Sequence, residues 1–195
     1  MTEAPVQRGV LVVISGPSGA GKTSICNELL RRIPDSRWSV SVTTRPRRGD
    51  EVDGRHYRFI SPAQFQQMVD ADELLEHAEY LGNRYGTPRA PVEAALAAGR
   101  VVIMEIDVQG GAQIARRLPE SVRIFVLPPT METLKARLAG RRTESEALQA
   151  KRIAEADGEI AFARTSGYYP YFITNDILED SVAAILDIIE RERRR

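Results

Sequence analysis

The sequence predicts an α/β fold built on a parallel sheet. Three observations carry that expectation. Apolar, β-branched runs alternate along the chain with helix-period patterns. The runs are continuous, as in strands buried on both faces. The chain, at 195 residues, is long enough for one domain with a sizeable core.

Taken in order, "VLVVI" (Val10–Ile14) is the first strand, and Ile25, Leu29, Leu30 and Ile33 form one helical stripe that Pro34 stops. "VVIMEI" (Val101–Ile106) and "IFVL" (Ile124–Leu127) are two further buried strands, and "YFIT" (Tyr171–Thr174) is a weaker one, with helices expected between them. A last helix is expected over Ser181–Arg193, with Val182, Ile185, Ile188 and Ile189 turned inward. Two segments break the rhythm. Residues 41–90 hold short strand candidates, an arginine cluster and a helix opening at Ser61-Pro62-Ala63-Gln64, a capping-box pattern with proline at the first helical position. Residues 137–160 are charged, helical and rich in arginine, with a second helix start at Thr143 to Glu146. Neither segment has the apolar content for a core of its own, so both read as insertions into one α/β scaffold.

Composition excludes several function classes. With 27 basic and 27 acidic residues the chain is formally neutral, which argues against broad binding to nucleic acid; the "RERRR" tail reads as a solvated helix end. One cysteine, Cys26, precludes an internal disulfide and falls in the first helix, where a free thiol packs as a small core residue. No apolar run approaches the ~20 residues of a membrane span. The opening "MTEAPVQRG" lacks a secretory h-region. The expected location is the cytoplasm.

"GPSGAGKT" (Gly16, Pro17, Ser18, Gly19, Ala20, Gly21, Lys22, Thr23) satisfies G-x-x-x-x-G-K-[ST] between a strand and a helix. Its glycines let backbone N–H groups converge on phosphate oxygens, and the helix adds the positive end of its dipole. Lys22 can then reach the β- and γ-phosphates of a nucleoside triphosphate, and the Thr23 hydroxyl can ligate Mg²⁺. The fold class is therefore a P-loop NTPase core with two insertions.

The acceptor is indicated by "TTRPRRGDEVDGRHY" (residues 43–57), which crowds Arg45, Arg47, Arg48 and Arg55 together. Guanidinium forks match phosphate oxygens, so arginines outside the P-loop suggest a second phosphate, on the acceptor. A phosphate monoester, largely dianionic above its second pKa of ~6, needs no general base but does need its charge neutralised. Arg137, Arg141, Arg142 and Arg152 lie on the second insertion, as expected of a lid closing over the transferring group.

The ordered stretches "GPSGAGKTS", "SVTTRPRRGDEVDGRHY", "LLEHAEYLGNRYGT", "IDVQGG", "LPP", "RLAGRRTESEALQAKR" and "TND" resemble guanylate kinase, across roughly residues 8–192. That resemblance implies a single domain, residues 1–195, with a core of residues 8–40, 91–136 and 161–195, a GMP-binding insertion of 41–90 and a lid of 137–160. It implies the reaction ATP + GMP → ADP + GDP with Mg²⁺, with dGMP as a second candidate acceptor. It calls for no membrane, nucleic acid or obligate protein partner. By the same resemblance Arg45, Arg48, Tyr57 and Tyr85 hold the acceptor phosphate, whereas Arg47 and Arg55 are solvated. Ser41, Glu76 and Thr87 read guanine, because one carboxylate can accept its adjacent N1–H and N2–H₂ donors. Asp107 lies near the acceptor nucleotide. Asn175 lies by the adenine of ATP, with Arg141 also on the ATP side. Lys22, Arg45, Arg137 and Arg152 are the catalytic candidates.

This sequence departs from the family pattern at three places. Glu105 stands for the usual aspartate; the proline of T-T-R-x-P-R comes one place early, at Pro46, with Gly49 in place of a common proline; and Arg142 replaces a glycine. Two rival readings are weaker. A non-catalytic guanylate-kinase-like module would lack Lys22 and the lid arginines. A sugar-phosphate kinase would have no use for Ser41, Glu76 and Thr87 together.

Overall fold

The computed structural model of the protein describes residues 8–80, 82–139 and 146–195. Along the chain come β1 (Val10–Ser15), α1 (Lys22–Arg32), β2 (Ser36–Trp38), β3 (Val42–Thr43), β4 (Arg58–Phe59), α2 (Pro62–Asp70), β5 (Leu74–Tyr80) and β6 (Asn83–Pro88). Then follow α3 (Arg89–Ala97), β7 (Val101–Glu105), α4 (Val108–Arg117), β8 (Val122–Leu127), α5 (Met131–Ala139), α6 (Glu146–Thr165), β9 (Tyr171–Thr174) and α7 (Leu178–Arg193).

Five strands form the main sheet in the order β2-β7-β1-β8-β9, every neighbouring pair parallel. The continuous apolar run of β1 follows from its central place. Val10, Val12 and Ile14 face one core, with Ile25, Cys26 and Leu29 of α1 and Val182 and Ile185 of α7. Leu11 and Val13 face the other, with Val92 of α3 and Ile114 of α4. Helices cover both sheet faces, so Val10–Ile14 are all apolar, and only Ser15, at the carboxyl end of β1, is polar. Because β7 and β8 flank β1 on opposite sides, the crevice where an α/β sheet gathers its ligands opens at the carboxyl end of β1.

The expected strands and helices are present, with shifted ends. β8 begins at Val122, two residues before the expected Ile124. The last helix begins at Leu178, not Ser181. Ser181 is buried, and its hydroxyl donates to Asn175 Oδ1 (3.1 Å) and Ile177 O (3.1 Å), so it braces the first turn from inside. α2 opens as its sequence predicts. Ser61 Oγ accepts from Gln64 N (3.2 Å) while Gln64 Oε1 accepts from Ser61 N (2.9 Å).

A second sheet, in the order β4-β3-β6-β5, is antiparallel except for its β3–β4 pair. The expectation that residues 41–90 lack a core of their own is corrected here, while residues 137–160 share a cluster with the scaffold part of α5. Val42, Phe65 and Leu74 pack with Ile60, Met68 and Val69 beneath α2. Leu134 and Leu138 of α5 pack with Ala156 and Ile153 of α6. Each cluster is small, and charged neighbours dilute it in the sequence. Among the described residues, no helix is long and apolar enough to cross a membrane.

Candidate active site

The carboxyl ends of the parallel strands open into a cavity of about 990 Å³. Gly16, Ser18, Gly19, Gly21, Lys22 and Thr23 line one part of it. The loop between β1 and α1 depends on its glycines. Gly16 has φ 145°, and a Cβ there would lie 2.3 Å from Val126 O; Gly21 has φ 93°, and a Cβ there would lie 2.2 Å from Asn175 Nδ2. Gly21 caps α1 and has no side chain to hydrogen-bond the first amides of that helix. Lys22 Nζ donates to the carbonyls of Gly16 (2.7 Å) and Pro17 (3.1 Å), folding back over the loop. Pro17 O also accepts from Ala20 N (3.1 Å), which closes the turn. Thr23 Oγ1 donates to Glu105 Oε1 at the end of β7 (3.0 Å). The longer side chain that distinguishes Glu105 from the usual aspartate thus reaches the Thr23 hydroxyl.

Asn175, expected beside adenine, lies against the P-loop. It is buried behind the loop, where Nδ2 donates to Ala20 O (2.8 Å) and Oδ1 accepts from Ser181. It therefore ties the P-loop to the start of α7.

The second sheet supplies the opposite part of the cavity with Ser41, Arg45, Arg48, Tyr57, Glu76 and Tyr85. Arg45 is buried against the rings of Tyr57 and Phe59, 5.5 and 5.7 Å from their centroids. Tyr57 and Tyr85 meet edge to face with centroids 6.0 Å apart. Burial pushes the Tyr57 hydroxyl upward from its ordinary pKa. Arg48 is exposed at the cavity edge, and Arg47 and Arg55 are exposed away from it. Gly49, where the family commonly has proline, takes φ 38°, a value closed to proline. The loop path here is accordingly its own, while Arg48 still faces the cavity.

Glu76 sits on β5 with only 5% of its surface exposed, and Oε1 accepts from Thr87 Oγ1 (2.7 Å). Ser41 Oγ lies 3.4 Å from the same threonine hydroxyl. Thr87 is fully buried and acts on the cavity through Glu76. Burial pushes the Glu76 carboxyl up to about 7, Asp107 adds to the rise, and the Thr87 hydrogen bond opposes it. Asp107 caps α4, with Oδ1 accepting from Gln109 N (2.9 Å) and Gly110 N (2.8 Å). The two glycines of "IDVQGG" make room for neighbours. A Cβ on Gly110 would stand 2.8 Å from Glu76 Oε2, and one on Gly111 would stand 1.9 Å from the Tyr169 hydroxyl.

From the helical segment, Arg137 and Arg152 reach the cavity. Arg137 Nη2 donates to Asn175 O (3.3 Å), and Arg152 Nη1 donates to Ser18 Oγ (2.7 Å), so α6 touches the P-loop directly. Arg141 and Arg142 lie outside the described residues. Two acids that sequence reasoning missed belong to the site. Glu159 lines the cavity on the face of α6 that carries Arg152 and Glu155, a helical spacing that could have exposed it. Burial pushes its carboxyl up to about 7; Lys22 counters the rise, and Asp107 and Glu155 add to it. Glu51, the other, accepts from both nitrogens of the Arg45 fork (2.9 and 2.7 Å). Its sole sequence signal is a carboxylate within the arginine-rich stretch.

Comparison with known proteins bears on this arrangement. The sequence model described as guanylate kinase matches residues 8–192. A guanylate kinase of Desulfitobacterium hafniense (strain Y51) is 46% identical over 187 residues, covering 96% of this chain and 92% of that one. A guanylate kinase of Thermus thermophilus is 46% identical over 188 residues, covering 96% and 84%. Among solved structures, the crystal structure of guanylate kinase from Anaplasma phagocytophilum superposes with a TM-score of 0.79 at 32% identity, over 97% of this chain and 88% of that one.

Proposed function

The chain belongs to the guanylate kinase family and transfers the γ-phosphoryl group of ATP to GMP, and from that premise we propose how its residues divide the reaction. The observation that carries the proposal is one continuous cavity shared by the P-loop and by the Arg48, Tyr85 and Glu76 side chains. A triphosphate and a monophosphate can meet there in line.

The amides of Gly16–Thr23 cradle the ATP phosphates. Lys22 exchanges the carbonyls of Gly16 and Pro17 for the β- and γ-phosphate oxygens. Arg45, Arg48, Tyr57 and Tyr85 hold the GMP phosphate; Glu76 accepts the guanine N1–H and N2–H₂, with Thr87 and Ser41 fixing its orientation. Asp107 closes the acceptor side from the start of α4. A GMP phosphate oxygen forms the new bond to the γ-phosphorus while the bond to the β-bridging oxygen breaks, and ADP leaves. Arg137 and Arg152, with Arg141, neutralise the charge that spreads during transfer. Asn175 serves the ATP side from behind, by holding the Ala20 carbonyl.

Thr23 would hold Mg²⁺, with Glu105 beside it; hydroxyl and carboxylate are hard oxygen donors of the kind that ion takes. Bound with ATP, the ion supplies charge neutralisation at the phosphates. In this division residues 41–90 are the acceptor insertion, 137–160 the lid, and the remainder the core. The substrates are small nucleotides. The buried free thiol of Cys26 supports a reducing compartment, the cytoplasm, as the place of work.

ADP release with ATP and a panel of GMP, dGMP, AMP, UMP, CMP and ribose phosphates tests the acceptor. The guanine nucleotides should dominate it. Lys22→Met should lose at least about a hundredfold in kcat with its circular dichroism unchanged. Near-normal turnover in that variant would overturn the role given to the P-loop lysine.

A further inference from the structure

The Arg45 side chain is 7% exposed and carries a permanent charge, so its surroundings must supply an anion even without substrate. Glu51 is that anion. Its Oε2 accepts from Arg45 Nη1 (2.9 Å) and Oε1 from Arg45 Nη2 (2.7 Å). The same Oε2 accepts from the backbone N–H of Arg48 (2.8 Å), and Glu51 N donates back to Arg48 O (3.0 Å). One carboxylate therefore closes the loop that carries both acceptor-phosphate arginines.

We propose that Glu51 is the positioning residue of the acceptor-phosphate site, holding the Arg45 fork and the Arg48 turn in the geometry that receives the GMP phosphate. The inference rests on the assignment of Arg45 and Arg48 to that phosphate.

An alternative role for such a carboxylate is a surrogate that leaves when the phosphate arrives. The local geometry opposes it. Glu51 is bound to the loop by three accepted hydrogen bonds and by its own N–H, so its departure would open the turn around Gly49. Arg45 is meanwhile fixed by the Tyr57 and Phe59 rings and by its bond to Pro46 O (2.8 Å). The bonds to Pro46 O and Glu51 occupy three of the five guanidinium N–H donors, and the Tyr85 hydroxyl stands beside the rest, where an incoming phosphate oxygen would meet both groups. The Arg45 hydrogen bonds and the Arg48 amide lower the Glu51 carboxyl to about 2, so the clamp keeps its charge across the working pH range.

The clamp has an electrostatic cost: a fixed negative charge beside a dianion weakens attraction. A surrogate would therefore be better lost, and its removal would tighten GMP. A positioning residue predicts the reverse.

Binding of GMP and of guanosine, which lacks the phosphate, should be measured by calorimetry for wild type, Glu51→Gln, Glu51→Asp, Arg45→Ala and Arg45→Ala/Glu51→Gln. Glu51→Gln should weaken GMP about ten- to a hundredfold, leave guanosine within about twofold, and leave the KM for ATP within about twofold. Glu51→Asp, which keeps the charge but shortens the reach, should fall between. In the double variant Glu51→Gln should add less than about threefold to the effect of Arg45→Ala, because it acts through that arginine. Tighter or unchanged GMP binding in Glu51→Gln, or equal losses for GMP and guanosine, would overturn the proposal. Should Glu51→Gln fail to fold, Glu51→Asp carries the same comparison. Unchanged GMP binding in Arg45→Ala would instead overturn the assignment of the phosphate site itself.

Discussion

Glu76 is held near neutrality by burial more than by any neighbour, and this has consequences of opposite kinds for binding and for folding. Guanine offers two adjacent donors, which the carboxylate accepts together only when ionised. Below a pH of about 7 the free site must first lose a proton, so guanosine binding should weaken by up to about tenfold per pH unit. Guanosine is the right probe because it has no phosphate to titrate. Calorimetry in two buffers of different ionisation heat should show proton release at pH 6.5 and none at pH 8.5. For folding, the raised carboxyl retains a proton that the unfolded chain has already lost between the ordinary value of 4.5 and about 7. Its contribution to stability is present at the acid end of that window and lost as pH rises through it. Denaturant melts of Glu76→Gln should show a shallower decline across that window. The same variant offers one acceptor and one donor group to the base. Its preference for GMP over AMP in kcat/KM should shrink by far more than about tenfold, a change of ~1.4 kcal/mol.

At the scale of elements, α4 shows how a helix makes room for a binding group. Alanine in place of glycine ordinarily gains about 1 kcal/mol of propensity in a helix interior, and less in a first turn such as that of Gly110. At Gly110 the added methyl would meet Glu76 Oε2 at 2.8 Å and Ile106 Cδ1 at 3.2 Å, while Thr87 holds the carboxylate from its other side. Gly110→Ala should therefore keep its Tm within a few degrees while raising the KM for GMP by about tenfold or more. The KM for ATP should stay near wild type. The glycine pair stands in the sequence as part of "IDVQGG", but its reason does not, since the atoms it accommodates come from β5 and from Tyr169. The three central strands of the main sheet were legible because burial on both faces leaves continuous apolar runs, whereas the edge strand β2, Ser36–Trp38, has no such run. The P-loop was legible because its spacing is local. The tie from Asn175 to the P-loop was not, because its amide answers a carbonyl 155 positions earlier. Glu51 and Glu159 look like surface acids until the fold supplies Arg45 and Lys22 as neighbours.

At the scale of the whole molecule, the single thiol reports on the core. Cys26 is fully buried between α1 and the main sheet, and burial pushes its thiol far above the ordinary value. A thiol reagent should label it only through global opening, with a rate that falls in step with stability when a bisubstrate analogue is added. Labelling at the rate of a free thiol in the native protein would contradict the packing of α1. The tie between Asn175 and Ala20 extends the same interdependence to the order in which the protein is made. The phosphate-binding loop leaves the ribosome with the first residues of the domain, yet its framing strands β7 and β8 come roughly a hundred residues later, and its amide brace comes later still. A nascent chain stalled before β7 would already contain every P-loop residue and would lack both framing strands and the amide brace. Nucleotide binding should therefore be absent from a chain released before β7 and should appear only once the framing strands are present. It can only reward a fold whose sheet is already assembled around the loop.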